Sequence, residues 1–211
     1  MPKIVNRDKY KEELLLNSFD LFARRGYSAV KMREISREIN VSTGTLYHYF
    51  QTKEQLFSEM VQLLANEDVE QLRLFQFRNR TKATTQDKRL ELFFQFLTSK
   101  EFYFQNVILL VCDVFRYNHE EHRIGILKEC ADLYKKAISS QLGLKSKELE
   151  TLFFSLVIGT IVQRMLNPEE TTMENTYDSV RKIFPFLSSS MFFESTVESS
   201  ANIDEQKEVE I

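Results

Sequence analysis

VSTGTLYHYFQTKEQLF, residues 41–57, sets Tyr47, His48, Tyr49 and Phe50 in four consecutive positions. On a helix each residue turns about 100° from the last, so four in a row face every side. A core occupies one side only. Ser42 suits a helix N-cap, with Val41 and Leu46 spaced as a hydrophobic staple. Thr52 and Gln55 spell a capping box, so a new helix starts there and the one behind Ser42 is short. Leu46 and Phe50 then supply the buried face. Ser42, Thr43, Thr45, Tyr47, His48 and Tyr49 cover the rest, and all carry hydrogen-bonding atoms.

Working outward, Tyr10, Leu15, Phe19 and Phe22 recur at helical spacing over residues 7–25, and Gly26 reads as a left-handed cap. A second helix is expected at residues 32–38. Asn40 follows, and asparagine tolerates positive φ best among residues other than glycine. Helix, three- or four-residue turn and short helix make a helix-turn-helix over residues 31–50. Ile35, Ile39, Val41, Leu46 and Phe50 are the contacts that fix its angle. Gly44 removes a side chain where another backbone can approach.

The helix opened by Thr52 runs to about residue 77. Arg78 to Lys88 is polar and aperiodic, and reads as a loop. Further helices are expected at about 89–99, 102–117, 120–142 (closed by Gly143) and 147–166. A last one is opened by a capping box at Thr171 and Glu174 and runs to about residue 184. With only 5 Gly and 3 Pro in 211 residues, a turn-rich strand fold is disfavoured and an all-α chain is expected. Residues 188–211 are acidic and polar, and read as a poorly ordered tail.

The net charge of −3 hides an asymmetry. Residues 1–53 carry a surplus of four positive charges and the remainder a surplus of seven negative ones. A basic head on an acidic body suggests an anionic partner for the head. Cys112 and Cys130 lack metal-ligand spacing and read as reduced thiols. The N-terminal MPKIVNRDKYKEE holds no apolar stretch, so a cytoplasmic protein with no membrane partner is expected. His119 and His122 share a helix face, but no third ligand accompanies them, and a solvated charged face is the better reading. No nucleophile–histidine–acid set, glycine-rich phosphate loop or metal quartet supports an enzyme. Neither cofactor nor metal is expected. A helical adaptor, or a ligand-binding protein without a DNA function, is the alternative.

Phe22, Gly26-Tyr27, Ile35, Val41-Ser42, Gly44-Thr45-Leu46-Tyr47, Tyr49-Phe50, Lys53 and Leu56-Phe57 together resemble the DNA-binding domain of the TetR (tetracycline-repressor) family of bacterial regulators. The resemblance is strong over residues 10–60. Two positions depart from it: Val30-Lys31 stands where paired threonines are common, and Asn40 where glycine is common. The resemblance implies an all-α protomer of about nine helices with an N-terminal three-helix helix-turn-helix domain. It also implies a homodimer, a near-palindromic double-stranded DNA operator and a small-molecule effector. The implied division is residues 1–53 for DNA binding, 54–187 for ligand binding and dimerisation, and 188–211 as tail.

Carried over position by position, Thr43, Gly44, Thr45 and His48 are candidates for base edges. Tyr47, Tyr49 and Lys53 are candidates for phosphates, with Lys31 and Ser42 beside them. The segment Leu152 to Val162 is apolar nearly all round, and a helix of that kind must be covered all round. Phe153, Leu156, Gly159, Thr160 and Gln163 are the candidate dimer contacts. Phe102, Tyr103, Phe104, Phe115, Tyr134 and Gln163 are candidates for an apolar or aromatic ligand, with Gln105, Asn106 and Asp113 as further polar groups. The function expected is a ligand-responsive DNA-binding repressor. Its switch is expected to work through the helix that begins after Thr52.

Overall fold

The computed structural model describes residues 7–80, 82, 85–117 and 121–188, the side chains of residues 117, 121–124 and 186–188 excepted. Nine α-helices and no strand occur among them: α1 (Arg7–Arg25), α2 (Met32–Glu38), α3 (Thr43–Tyr49), α4 (Lys53–Arg78), α5 (Gln86–Ser99), α6 (Glu101–Tyr117), α7 (Glu121–Leu142), α8 (Lys147–Leu166) and α9 (Met173–Ser188). Residues 189–211 of the expected tail and His119 lie outside the described residues, as does the side chain of His122, while Ser188 belongs to α9.

Local chemistry sets the helix ends. Gly26, Asn40 and Gly143 hold φ of +79°, +56° and +69°, so each helix before them stops where the chain turns left-handed. Ser42 Oγ accepts from Thr45 N at 2.9 Å and Thr52 Oγ1 accepts from Gln55 N at 3.1 Å. The second half of the Thr52 box differs from expectation. Gln55 Oε1 accepts from Gln51 N at 2.8 Å, one residue ahead of the cap.

Two other boundaries differ. Thr85 Oγ1 accepts from Lys88 N at 3.2 Å, so α5 starts at Gln86, inside the segment read as loop. Thr172, not Thr171, caps α9 by accepting from Asn175 N at 3.0 Å. That helix also continues through Pro185 to Ser188, beyond the predicted end.

Two apolar cores run along the molecule. The first joins α1, α2 and α3 to Leu56, Phe57, Met60 and Leu64 of α4 and to Leu110 and Val114 of α6. A cut at residue 53 therefore passes through a single core. Its centre is aromatic: the Phe57 ring meets Phe22 edge-on at 5.6 Å and Tyr27 at 4.7 Å between centroids. The second core draws on α4, α5, α7, α8 and α9.

The helix α8 is long and apolar enough to cross a membrane by length and composition alone. It is not covered all round within the protomer. Leu149, Phe153, Val157, Thr160 and Ile161 face the protomer's core. Leu152 and Leu166 are 47% and 80% exposed. Ser155 and Gln163 are exposed on that same outer stripe, and Gly159 is half-buried.

Candidate nucleic-acid interface and internal cavity

The helix-turn-helix is held together by short-range bonds. Val41 N donates to Ser36 O at 2.8 Å, which closes the turn around Asn40. Buried Ser36 shares a hydrogen bond of 3.0 Å with Thr43 Oγ1, which ties α2 to the start of α3. Two ion pairs fasten the end of α1 to α2: Arg25 with Glu34 at 2.7 Å, and Arg24 with Glu38. Lys31 N donates to Glu34 Oε2 at 2.9 Å. That bond and the Arg25 guanidinium hold the Glu34 carboxyl below the usual range. The missing hydroxyl at position 31 is thus half replaced: Glu34 satisfies the backbone, and Lys31 itself is exposed.

On α3, Leu46 is fully buried and Phe50 follows it into the core. Ser42, Gly44, Tyr47 and His48 are exposed, while Thr43 and Thr45 are half-buried. Ser42 and Thr45 share a hydroxyl contact of 2.7 Å. A Cβ on Gly44 would meet only Ser42 Oγ, at an ordinary 3.7 Å. Among the described residues nothing else comes within 4 Å of that position, and without a side chain the surface there is bare.

Two candidates sit differently from the sequence reading. The half-buried Tyr49 ring lies against Tyr10 at 5.6 Å and His48 at 5.2 Å, with the Arg7 guanidinium 5.9 Å above it. It packs α3 onto α1, because the last turn of α3 points back to the start of α1. Lys53 donates to Tyr27 O at 3.0 Å and stands 4.1 Å over the Tyr27 ring. It locks the start of α4 to the α1–α2 turn.

The body holds a cavity of about 530 Å³ between α4, α5, α6, α7 and α8, with Phe19 of α1 at its base. Of the predicted ligand residues, Phe104, Phe115 and Tyr134 line it. Phe102 is 78% exposed, on the face of α6 away from the core. Tyr103 turns to the head instead, its ring 5.4 Å from Phe19, and its hydroxyl bonds Asp68. Gln163 is exposed on α8, and Gln105 and Asn106 bond their own helix.

Asp113 is not among the residues that line the cavity: its Oδ2 accepts from Ser28 N at 3.3 Å, in the α1–α2 turn. The helix α6 therefore faces two ways. Ile108, Val111 and Cys112 line the cavity, Asp113 and Val114 hold the head, and Val107 and Leu110 touch both. Phe19 and Phe57 belong to both the head's core and the cavity wall.

Sequence reasoning missed Asp68. It is 3% exposed on α4 and lines the cavity. Its Oδ2 accepts from Tyr103 Oη at 2.8 Å and Tyr134 Oη at 2.7 Å, and its Oδ1 accepts from Lys100 Nζ at 3.1 Å. Burial pushes its carboxyl up, against the two hydroxyls and the ammonium. Burial likewise raises the Tyr103 and Tyr134 hydroxyls, and the nearby Asp68 charge adds to that, so both stay protonated donors. The Cys130 thiol is pushed up to about 11, chiefly by burial, and reads as an inert core residue.

Two of the predicted dimer contacts also face inward. The buried Phe153 ring meets Phe184 edge-on at 4.9 Å, and Thr160 is buried within the protomer. Leu156 is half-buried against the second core. Gly159 and Gln163 remain on the outer stripe.

Residues 11–60 match the family model of the bacterial regulatory proteins of the tetR family. The HTH-type transcriptional regulator PksA of Bacillus subtilis (strain 168) is 23% identical over 177 residues, which cover 80% of this chain and 84% of that one. The HTH-type transcriptional regulator QacR of Staphylococcus aureus is 30% identical over 101 residues, 47% of this chain and 52% of that protein. Among solved structures, E. coli NemR in its reduced form superimposes with a TM-score of 0.66 at 16% identity, over 83% of this chain and 97% of that one. This last likeness is one of fold.

Proposed function

We propose that this chain, which belongs to the tetR family of bacterial regulatory proteins and is a DNA-binding transcriptional regulator, works as a homodimeric repressor released from a near-palindromic operator by a small apolar or aromatic effector. The division of labour is residues 1–53 for reading DNA and 54–187 for effector and partner. The observation that carries the reading is that one set of side chains is shared between head and cavity. Phe19 and Phe57 form the floor of the cavity and the centre of the head's core.

DNA is read from α3. His48 and the bare surface at Gly44 face the base edges, with the Thr43 and Thr45 hydroxyls beside them. Tyr47, Ser42 and Lys31 meet phosphates, and phosphate contacts set register without reading sequence. Lys53 and Tyr49 act one step back, by fixing the angle of α3. The dimer forms on the outer stripe of α8, where Leu152, Ser155, Gly159, Gln163 and Leu166 recur every three or four residues. Small residues at 155 and 159 let a partner helix approach closely. Two heads are needed because operator half-sites repeat at one helical turn, about 34 Å, or a multiple of it.

Switching follows from α4 and α6. A ligand that wedges Val107, Ile108 or Val111 outward carries Asp113 with it and pulls on the α1–α2 turn. The same ligand presses on Phe57 at the head end of α4. Selection of bound sequences from a randomised operator tests the contact assignment. His48→Ala is expected to change the preferred base at one position of each half-site, and Tyr47→Ala to weaken all sequences alike. The opposite pattern refutes the assignment.

A further inference from the structure

We infer that the cavity is built for a lipophilic organic cation, with the Asp68 carboxylate as its counter-ion and the Lys100 ammonium as the resident cation it displaces. The inference rests on the reading of the cavity as an effector site, and names the charge of the effector.

Eight of the residues that line the cavity are Phe or Tyr, and Asp68 is the acid among them. Aromatic faces attract cations, and more strongly where water is excluded. Asp68 therefore adds its charge to a wall that already favours a positive guest. A carboxylate offers about four acceptor positions. Tyr103, Tyr134 and Lys100 fill three, which leaves capacity on a group that borders the cavity. Glu67, the next residue, adds negative potential from the same turn of α4, where its own carboxyl is raised by burial and by Asp68. Among the described residues Lys128 is the one basic residue of the lining, and it is exposed, so water screens it.

Lys100 is placed to leave. Its side chain is 22% exposed, against 3% for Asp68, and it reaches the carboxylate from beside the cavity. It sits 5.8 Å over the Phe96 ring and 4.9 Å over the Tyr103 ring, in the attitude of a cation among aromatics. A guest cation that takes over the pairing with Asp68 lets the ammonium swing to water, so the buried charge stays balanced throughout. An anion would instead oppose Asp68 in a medium of low dielectric, where like charges repel most strongly.

The exchange reaches the head by a short route. Lys100 is the corner between α5 and α6, and its carbonyl accepts from Phe104 N at 3.0 Å. Tyr103, on the same turn, holds Phe19 of α1. Loss of the Lys100 tie therefore loosens the start of the helix whose far end grips the α1–α2 turn through Asp113.

Calorimetric titration with tetraphenylphosphonium and tetraphenylborate tests this on the full chain, since the two ions share size and shape and differ in the sign of charge. The wild type is expected to bind the phosphonium at least about tenfold more tightly than the borate. Asp68→Asn should erase most of that preference. Lys100→Met, which keeps an apolar stem and removes the competing ammonium, should tighten phosphonium binding by about tenfold. A cluster that serves stability alone predicts the reverse for Lys100→Met. Weaker phosphonium binding by that variant, or borate binding as tight as phosphonium in the wild type, overturns the cation assignment and leaves the cavity as an effector site. Binding of neither ion by protein that still holds its operator overturns both, and leaves DNA binding intact.

Discussion

Gly26→Ala probes the junction between head and body, and its cost can be worked from the geometry. Gly26 holds φ at +79°, and an L side chain in the left-handed region costs about 1–2 kcal/mol. The new Cβ would lie 2.9 Å from Asp113 Oδ2 and 3.0 Å from its Cγ, so that side chain must swing away. The bond that Asp113 accepts from Ser28 N is then lost, for about 0.5–1.5 kcal/mol. Alanine returns about 0.4–1 kcal/mol by restricting the unfolded chain. The net cost is about 2 kcal/mol, which for a chain of this length lowers Tm by roughly 4–8 °C.

A double-mutant cycle separates the two causes. With Asp113→Ala already in place the close contact is gone, and Gly26→Ala should cost about 1 kcal/mol less than in the wild type. Urea denaturation of the four proteins gives the comparison. An equal cost in both backgrounds, within about 0.3 kcal/mol, would show that α6 does not press on the α1–α2 turn and would refute the proposed route from cavity to DNA.

Ser42→Ala should cost about 1 kcal/mol of stability by thermal melting, because Thr45 N loses its cap acceptor. Lys31→Ala should lower the slope of log affinity against log salt by about one, read by fluorescence anisotropy on operator DNA. Gly159→Arg should leave the protomer folded, since a side chain there meets nothing within 4 Å, yet yield a monomer by light scattering with weakened operator binding. The raised Asp68 carboxyl sets a pH dependence. Above about pH 4 the unfolded aspartate has lost a proton that the folded one keeps, so stability falls as pH rises through that window toward the folded value. Melting curves of Asp68→Asn against pH should lack that slope.

The head was readable in the sequence because its signals are local. Ser42, Thr52, Gly26 and Asn40 each act within a few residues, and the helix ends fall where those residues put them. The faces were harder. Whether Tyr49 looks at DNA or at Tyr10 depends on where α1 crosses α3, which no spacing within residues 41–57 reveals. Lys53 is diverted to Tyr27 by the same kind of long-range packing.

In the body, dense aromatics hid which face was inward. Phe102 and Phe104 are alike in the sequence and opposite in the fold, because α6 packs on α1 and α8. Asp68 did leave a trace, as an acid midway between Leu64 and Leu72 on a buried helix face. Its partners lie 35 and 66 residues away, so the site itself could not be assembled from the pattern. A helix apolar on nearly all sides called for cover all round, and the protomer covers α8 on one side only, with Leu152 and Leu166 left exposed. Only the coordinates divide Phe153 and Thr160, turned inward, from Gly159 and Gln163, turned out.

The most direct test of the central claim is competitive binding of the purified chain to DNA from upstream of its own gene, against an unrelated fragment of the same length, over a range of salt. The account predicts affinity for the upstream fragment at least about a thousandfold above the unrelated one near physiological salt, falling steeply as salt rises. Equal, weak binding of both fragments at low salt would contradict it.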